Sequence, residues 1–293
     1  MTINAVTTSD TRPRWTPLSI SFLGLHIICL AVFWTPFAWP LLVGLVFSYA
    51  IRMFAITAGY HRYFSHRTFK LNRLSQFLLA FVAQTSAQKG ILWWASHHRN
   101  HHRFSDQHED IHSPLAKGFW YAHVGWILSD AHEAYDSKNI QDFEKYPELR
   151  WLNTYHWVCP LSLGIATFLL GYATGLGAWA TLLWFFVLPT VLLFHGTFTI
   201  NSLCHLWGSV RFSTGDGSRN NFILAFLTLG EGWHNNHHHF QNGCRQGIRW
   251  WEWDPTFYIL KVFSWLSIVQ DIRPWPPEKL LARKDSSFSS DLS

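Results

Sequence analysis

The sequence predicts an all-α membrane protein with four transmembrane helices in two hairpins and a helical cap on the cytosolic side. Two observations predict this class. Only 14% of the 293 residues are charged, whereas 48% are hydrophobic and 17% aromatic; an ordinary soluble protein has about 25% charged residues. Four apolar runs also reach the ~20 residues that a helix needs to cross a bilayer. We expect residues 1–293 to form a single integral-membrane domain.

The four predicted spans form two pairs. Residues 18–37 and 40–60 are joined by a short turn, and residues 155–174 and 178–200 are joined by the glycine-rich segment GYATGLGA. The N-terminus is polar, and the first apolar run lacks a small-residue cleavage site. We therefore expect this run to be retained as a span and not removed as a signal peptide.

Lysine and arginine lie on one side of the predicted spans. Neither hairpin turn contains one, and Arg52 is the single basic residue inside a span. Because cytoplasmic flanks retain positive charge, we expect both termini and the polar cap, residues 61–154 and 201–277, in the cytoplasm. The one-sided charge also disfavours the alternative that the apolar runs are core helices of a soluble protein.

The remaining segments are expected at the membrane surface or beyond it. Residues 74–82 and 222–229 are too short to span and predict interfacial or underlying helices. Residues 250–265 mix Trp and Tyr with charges, as is typical of headgroup depth, and the tail 278–293 is expected to be disordered. The net charge of +5 without a dense basic run favours lipid headgroups over nucleic acid as a partner. Four dispersed cysteines indicate neither a disulfide framework nor a thiolate metal site.

Eighteen histidines are present, and half of them fall in four short clusters, HRYFSH, HRNHH, NSLCH and HNNHH. The candidate metal ligands in these clusters are His61, His66, His98, His101, His102, Asn201, His205, His234, His237 and His238. In a helix, residues at i, i+3 and i+4 share a face, so each HxxHH triplet is expected to project as one group. All four clusters are predicted at the same membrane face.

So many imidazoles in one place indicate bound cations. Crowded histidines repel one another as imidazolium ions, and without a partner they bury unpaired acceptors. Nine nitrogens exceed what one ion can accept, which implies two metals. Imidazole suits Zn, Cu, Fe and Ni alike, so the ligand type leaves the metal open. The isolated histidines His26, His123, His156 and His195 are expected to be structural.

Two other histidine patterns compete with this interpretation. The segment HEDIH at 108–112 satisfies the HExxH pattern of zinc proteases, but that pattern needs a continuous helix and Pro114 follows within two residues. The ExxH motifs at 109–112 and 231–234 resemble those of carboxylate-bridged di-iron bundles. That interpretation would leave most of the clustered histidines without a role.

From about Arg52 to Trp253 the chain resembles the membrane fatty acyl desaturases of the stearoyl-CoA (Δ9) type, bacterial branch. The likeness rests on GYHRYFSH, HHRNHHRFSD, KGFWYAHVGW, NSLCHLWG and EGWHNNHHHF, which occur in the family's order. Ile111 replaces a proline that is usual in the family, at no ligand position. The resemblance implies two irons (Fe2+/Fe3+) held in the cap by the nine clustered histidines, with Asn201 acting through water. It also implies a bacterial inner membrane location. His97 and His239 are expected to support the ligands through hydrogen bonds or to pack beside them.

The implied activity is the O2-dependent introduction of a cis double bond, expected at Δ9, into a saturated acyl chain carried as acyl-CoA or in a membrane lipid. O2 is then a co-substrate, and no separate catalytic acid or base is expected. By the same resemblance, Trp94 and Thr197 match positions near the bend of the acyl chain, and Lys117 matches a basic position near the carrier headgroup. For Trp94, plain core packing is an equal alternative.

Electrons are expected from an external donor, either ferredoxin-like or a cytochrome with an NAD(P)H reductase, because little chain follows the last histidine cluster. The main alternative is a hydroxylase, acetylenase or decarboxylase on the same di-iron scaffold, since the histidine clusters do not separate these outcomes. A non-enzymatic metal transporter is a third hypothesis. It predicts histidines along the spans, whereas the four clusters lie outside them.

Overall fold

The computed structural model describes residues 15–281, and this part of the chain is almost entirely helical. The polar N-terminus up to residue 14 and the tail from residue 282 lie outside the described residues. Of the predicted tail 278–293, residues 278–281 belong to the short helix Pro277–Leu281. The His239 ring donates a hydrogen bond to the Lys279 carbonyl (3.1 Å), which attaches this helix to the cap.

Residues 15–281 contain fourteen α-helices and one two-stranded antiparallel sheet. The helices are α1 (Pro17–Cys29), α2 (Trp39–Phe54), α3 (Arg73–Gln84), α4 (Ile91–Phe104), α5 (Pro114–Lys117), α6 (Gln141–Glu144), α7 (Pro147–Thr154), α8 (Val158–Thr174), α9 (Ala178–Leu182), α10 (Leu188–Ser202), α11 (Phe222–Leu227), α12 (His234–His239), α13 (Pro255–Trp265) and α14 (Pro277–Leu281). The strands are β1 (Lys70–Leu71) and β2 (Val269–Gln270). Short 3-10 or π-helical segments extend several helices: Leu30–Trp34, Ala55–Ser65, Tyr121–Gly125, Ser137–Ile140, Leu183–Val187 and Leu203–His205.

Three helical segments of the described chain are long and apolar enough to cross a membrane. They are Pro17–Trp34, Trp39–Ser65 and Ala178–His205. A fourth candidate is the pair α7 and α8, which is bent by 71° at its break. The predicted spans one, two and four therefore each match one segment. The third, 155–174, matches the 17-residue helix α8 preceded by the bend.

Local sequence signals explain where the first apolar helix, α1, begins and where the third, α8, ends. Thr16 and Ser19 form a reciprocal capping box at the start of α1, and Pro17 occupies its first turn, where a missing N–H costs nothing. Helix α8 ends at Gly175, whose φ of +73° is readily adopted only without a side chain. Local residues therefore determine both of these helix ends.

Two of the spanning segments are longer than a bilayer requires. The second span, Trp39–Ser65, has 27 residues and the fourth span, Ala178–His205, has 28. At 1.5 Å per residue each is on the order of 40 Å long, whereas the hydrocarbon core is about 30 Å thick. Each helix therefore continues out of the apolar layer, carrying His61 and His205 into the polar cap.

The fourth span is the centre of the helical stem. Helices α1 and α2 both pack against it, and α8 packs against its first turns. The pairing of the first two spans into a hairpin stays a prediction, because α1 packs principally against α10 and Leu183–Val187. Arg52 joins the second span to the fourth span and to the end of α3. Its buried guanidinium donates to the Thr85 carbonyl (2.7 Å), the Thr190 hydroxyl (2.6 Å) and the Phe186 carbonyl (3.3 Å).

The short apolar segments of the cap form helices with exposed apolar faces. Residues 74–82 lie in α3 and residues 222–229 begin with α11, whose Phe222 and Phe226 are exposed. Trp250 and Trp265 at the two ends of residues 250–265 are also largely exposed. Apolar and aromatic side chains exposed in this way suit the boundary between lipid and water.

Gly232 provides a test of the close packing beneath the last histidine cluster. A Cβ at this position would lie 2.1 Å from the Ala225 backbone nitrogen and 2.5 Å from the Asn221 carbonyl oxygen. We expect Gly232→Ala to destabilise the protein by roughly 2–3 kcal/mol, because backbone atoms would have to move. Thermal unfolding of purified protein measures this. The control Gly24→Ala, where a Cβ meets nothing within 4 Å, should leave the melting temperature unchanged; equal melting temperatures for both variants would contradict the packing argument.

Candidate metal centre

The clustered histidines converge into two neighbouring groups in the polar cap. The first histidine group consists of His61, His66, His98, His102 and His237. The second histidine group consists of His101, His205, His234 and His238. Within each group, one ring nitrogen per residue lies within 4.8 Å of all the others. All nine candidate histidines are thus brought together, although their sequence positions span more than half of the chain.

A π-helical segment brings His61 and His66 together. Residues five apart point about 140° away from each other in an α-helix, which turns 100° per residue. Here the second span continues as the π-helix Ala55–Ser65, and the His66 N–H donates to the His61 carbonyl (3.1 Å), five residues back. The wider turn places both rings on one face, with centroids 4.8 Å apart. Such π segments are frequent at functional sites.

The two HxxHH triplets are each divided between the two groups, so the expectation that a triplet projects as one group is wrong. On α4, His98 and His102 belong to the first group and His101 to the second. On α12, His234 and His238 belong to the second group and His237 to the first. The reason is helical geometry: residues at i and i+4 are offset by about 40°, whereas the residue at i+3 lies about 60° to the other side. Each triplet therefore connects both groups.

The ring nitrogens of the first group form a chain of four short contacts. The Nε2–Nε2 distances are 3.0 Å for His61–His237, 2.9 Å for His237–His102, 3.0 Å for His102–His98 and 2.9 Å for His98–His66. A nitrogen of a neutral imidazole is either one donor or one acceptor. The same Nε2 therefore cannot hydrogen-bond to two neighbours, and at most two of the four contacts can be hydrogen bonds.

A cation bound by several of these nitrogens would explain the short distances that hydrogen bonds cannot. Two ligands held about 2.1 Å from one ion at a right angle lie about 3.0 Å apart, which matches the four distances. In the second group, His205 Nε2 and His234 Nε2 are likewise 3.0 Å apart, and the buried His238 Nε2 has no hydrogen-bond partner. The donor set and its spacing therefore fit a metal ion in each group.

Six of the nine rings are held in the uncharged form, whereas Asp110 raises the pKa of His101 despite its burial. Burial, together with the neighbouring imidazoles, holds the pKa of five histidines well below the usual value: His66, His98, His102, His234 and His237. Burial also lowers the pKa of His238 to about 4. At neutral pH these rings are uncharged and present lone pairs, which is the form that binds metal.

Four buried or partly buried carboxylates orient the rings from behind. Each accepts a hydrogen bond from the Nδ1–H of one histidine, so that the opposite nitrogen, Nε2, carries the lone pair. The pairs are His101–Asp110 (2.9 Å), His205–Asp106 (2.7 Å), His238–Asp216 (2.6 Å) and His61–Glu231. Two divalent cations would offset the charge of these four carboxylates.

The pKa values of these acids agree with their role. Burial alone would raise the pKa of Asp110 and Asp216, but the imidazoles of His101 and His238 respectively hold both pKa values well below the usual range. Both side chains are therefore carboxylates at any physiological pH. As carboxylates they can accept from Nδ1–H and keep the tautomer fixed.

A buried ion-pair network fixes Glu231 in its place. Arg62, almost fully buried, donates to Glu231 (3.0 Å), to Asp254 (2.8 Å) and to the Cys244 carbonyl (2.9 Å). Gln246 donates to the second Glu231 oxygen (3.0 Å), which also faces His61. Glu231 is therefore held behind a histidine, unlike the metal-bridging glutamate of a carboxylate-bridged bundle.

A cavity of about 700 Å³ reaches the first histidine group. His98 lines it, as do Trp94, Thr197 and Asn201. The Trp94 ring stacks on His98 with centroids 4.8 Å apart. The other walls of the cavity are mainly aromatic and include Phe22, Trp93, Trp126, Phe186, Phe194 and Phe198. A long apolar cavity ending at polar groups is the usual form of a binding site for an apolar ligand.

Lys117 does not line this cavity. Its Nζ donates to the Asp110 carbonyl (2.7 Å) and lies 5.5 Å from the centre of the Tyr121 ring. The structure thus places Trp94, Thr197 and Asn201 together beside the histidines and places Lys117 behind them.

The HEDIH segment does not form the helix that a zinc protease needs. Residues 105–113 are turns and bends, and His108 and Glu109 are exposed. His112 instead approaches Asp110 (3.4 Å), which bonds to His101. The flanking residues His97 and His239 also lie outside both groups: His97 donates to the Ala134 carbonyl (3.0 Å).

Three of the isolated histidines form a linear chain beside the cavity. His123 Nε2 and His195 Nδ1 are 3.0 Å apart, and so are His195 Nε2 and His26 Nε2. The chain continues from His123 Nδ1 to the Ser202 hydroxyl (3.0 Å) and from His26 Nδ1 to the Phe22 carbonyl (2.7 Å). Because each nitrogen has one partner, hydrogen bonds alone satisfy all three rings. This agrees with the expectation that they are structural.

Sequence reasoning missed the carboxylates behind the rings. Asp106, Asp110 and Asp216 were not identified as site residues, and Glu231 was considered only as a metal ligand. A signal did exist, since buried metal-bound histidines almost always donate their second N–H to a carboxylate or carbonyl. Asp106 and Asp110 follow the second cluster within eight residues, but nothing in the spacing identifies which histidine each one meets.

Residues 11–264 match the family described as fatty acid desaturase. The chain belongs to the fatty acid desaturase family. It is 36% identical over 267 residues to the acyl-CoA 5-desaturase AL21 of Anemone leveillei, covering 90% of this chain and 80% of that protein. It is 34% identical over 291 residues to the sn-1 stearoyl-lipid 9-desaturase of a Synechocystis strain, covering 96% and 88%.

A third relative widens the range of positions and carriers. The palmitoyl-monogalactosyldiacylglycerol delta-7 desaturase of Arabidopsis thaliana is 36% identical over 242 residues, covering 82% of this chain and 62% of that protein. Fatty acid desaturases are oxidoreductases of lipid metabolism, and these relatives act on fatty acyl chains. Membership in the family therefore implies a fatty acyl substrate, whereas the relatives differ in double-bond position and in acyl carrier.

Asp216→Asn tests whether the carboxylates tune a metal site in this desaturase. The amide keeps the shape of the side chain but cannot hold the His238 ring as an anionic acceptor, so we expect divalent-metal affinity to fall about 10–100-fold. Competition with a chelator, followed by metal analysis, measures the affinity. Asp271→Asn, at an exposed pair with Lys70, is the control and should bind metal like the unaltered protein. Equal affinities for all three proteins would rule out the role assigned to Asp216.

Proposed function

We propose that this protein is an O2-dependent di-iron fatty acyl desaturase that introduces a cis double bond, at Δ9, into a saturated acyl chain. The observation that carries the proposal is that an apolar cavity of about 700 Å³ reaches the first of two adjacent all-histidine groups, at His98. Family membership supports the reaction class. The similarity to a stearoyl-lipid 9-desaturase supports the position, although relatives with other positions match equally well.

We assign one iron to each histidine group, with the nine histidines as ligands and Asn201 acting through a water. When bound, two irons supply the activation of O2 that removal of hydrogen from an unactivated methylene requires. The overall reaction takes two hydrogens from the chain and consumes one O2, two electrons and two protons, giving two waters. The chain's own task is to hold the ligands in the right tautomer and to exclude other water.

The cavity residues would position the methylenes beside the first histidine group. Trp94 lies one helical turn before His98 and stacks on its ring, so a chain passing Trp94 also passes the ligand. On the facing wall, the Thr197 hydroxyl accepts from the Gln88 amide (2.9 Å), which fixes the width of the cavity there. We propose Trp94 and Thr197 as substrate contacts on this basis. Holding reacting atoms in one geometry contributes greatly to rate.

For Lys117 we propose a role different from contact with the carrier headgroup. Its Nζ donates to the Asp110 carbonyl and therefore supports the segment that carries the Asp110 carboxylate. The side chain is half-buried and burial lowers its pKa, which suits a structural hydrogen bond more than capture of an exposed anion.

We propose that the polar cap and both termini face the cytoplasm of a bacterial inner membrane. The basis is the one-sided distribution of lysine and arginine. The cap would then receive electrons from a separate ferredoxin-like or cytochrome donor and its NAD(P)H reductase. The domain limits follow: one integral-membrane domain, with residues 61–154 and 201–277 forming the cap.

Product analysis tests the reaction itself. Expression in a host that lacks unsaturated lipids, followed by gas chromatography of its fatty acids, should reveal a new cis monoene with its double bond at C9. The desaturase control from Synechocystis in the same host establishes that electrons are supplied. A hydroxy acid, an acetylenic acid or a shortened alkene without a monoene would favour the alternative di-iron activities. Metal analysis separates these from a transporter, because a di-iron enzyme carries two irons per chain.

His101→Ala tests the ligand assignment. The variant removes one nitrogen from the second histidine group and leaves Asp110 without its hydrogen bond from His101. We therefore expect turnover to be lost and bound iron to fall, with membrane insertion unchanged. His239→Ala is the matched control, because His239 adjoins the same kind of cluster but stacks on Phe212 outside both groups. Activity retained by His101→Ala would remove this residue from the ligand set.

A further inference from the structure

The mouth of the large cavity lies where two membrane helices begin. Thr16, Pro17 and Ser21 line it from the start of α1, and Trp157 and Pro160 line it from the start of α8. Both are the ends of apolar helices at the side of the polar cap. The mouth is therefore at the depth of the lipid–water boundary, and its outer edge is formed by membrane helices.

The surface beside the mouth is apolar and unburied. Trp15 is 80% exposed, and Trp157 and Leu161 are each about half exposed. Exposed tryptophans at the ends of membrane helices are characteristic of headgroup depth. Bilayer lipids would therefore lie against the exposed side chains at this edge of the mouth.

The lining of the cavity carries no net positive charge. Among the described residues that line it, Lys89 and Glu133 are the one lysine and the one carboxylate, and they pair with each other at 3.0 Å. Burial lowers the pKa of His132 to about 4, so this ring adds no positive charge to the lining at physiological pH.

The chain segment at the mouth is acidic. Residues 129–136, SDAHEAYD, include Asp130, Glu133 and Asp136 but no lysine or arginine. Ser129, His132 and Glu133 of this segment line the cavity. Apart from Lys89, which pairs with Glu133, a phosphorylated headgroup placed here would meet carboxylates in place of the arginine and lysine side chains that bind phosphate.

Five basic residues of the cap lie together at a site separate from the large cavity. A separate cavity of about 430 Å³ shares no lining residue with the large one. Its basic residues are Arg67, Lys70, Arg73, Lys145 and Arg273. Three of them already pair with acids: Arg67 with Asp142, Lys70 with Asp271 and Arg73 with Glu148. These five basic residues therefore do not line the large cavity.

From these observations we infer that the substrate enters the cavity as an acyl chain esterified in a membrane glycerolipid, and not as the thioester of a nucleotide carrier. This inference rests on the proposed desaturase function and names the substrate class of the same site. The ester of a glycerolipid lies at the depth of the mouth, and its acyl chain already points into the apolar layer. A nucleotide carrier would bring several phosphate charges to an acidic rim. Relatives of both substrate classes match the chain to similar extents, so the carrier must be inferred from the mouth itself.

A pulse-labelling experiment tests this inference. Cells of a bacterial host that express the full chain receive a short pulse of deuterated stearic acid, and thioesters and glycerolipids are then separated and analysed by mass spectrometry. We expect the labelled monoene to appear first in intact glycerolipids, while labelled thioesters are still saturated. Labelled monoene that appears first in the thioester pool would overturn the lipid-linked substrate and leave the desaturase function standing. No monoene at all, in a host where the Synechocystis relative makes one, would overturn both.

A charge change at the mouth gives an independent test. In isolated membranes supplied with stearoyl-CoA, Glu133→Lys places a second cation beside Lys89 and should raise the ratio of thioester to glycerolipid desaturation severalfold. The gain should shrink at high salt, because it arises from attraction to phosphate. Glu133→Gln, which removes the carboxylate without adding a cation, should raise the ratio less. Unaltered protein that already prefers stearoyl-CoA, with a ratio insensitive to Glu133→Lys, would overturn the inference.

Discussion

The hydrogen bonds from histidine Nδ1 to buried carboxylates are the interactions on which the rest of this structure depends. An imidazole has two nitrogens, and only the one without a proton can face a metal. By accepting from Nδ1–H, Asp106, Asp110, Asp216 and Glu231 determine which nitrogen this is. Arg62 in turn holds Glu231 in place from within the second span. The acids also supply negative charge that two divalent cations can balance, so ring orientation and metal charge have one common origin.

This requirement connects the cap to the membrane stem. The carboxylates lie on loops of the cap, whereas His61 and His205 lie at the ends of the second and fourth spans. Neither half can form the groups alone, because each histidine group draws rings from both. Since the two spans pack against each other, their spacing also sets the spacing of the rings. Packing in the stem and geometry at the metal centre are therefore coupled through rigid helices.

The sequence predicts the coarse arrangement because hydropathy and helical period are local properties. Four apolar runs predicted where membrane helices lie, and the histidine clusters predicted which residues meet. Other features depend on contacts distant in sequence. The π-helix that aligns His61 with His66 has no composition signal, and the division of each HxxHH triplet requires partners on both sides. Spacing likewise could not assign Asp216 to His238, because that pairing arises only when the loop at 212–220 folds over α12. The bend before α8 depends on how α7 packs against α3 and α4.

The same helices carry both the clustered histidines and the cavity wall, which under the proposed function constrains how the position of a double bond can change. Helix α4 bears Trp94 one turn before His98, and the fourth span bears Thr197 one turn before Asn201. The spacing along each helix between the cavity residue and the candidate ligand is thus set by helical rise, about 6 Å for four residues. A shift of either helix that moved the wall residue would also move the candidate ligand on the same helix. Under the proposed function, a change in the methylene that meets the histidine groups is therefore expected from other cavity residues, which can vary without disturbing a histidine.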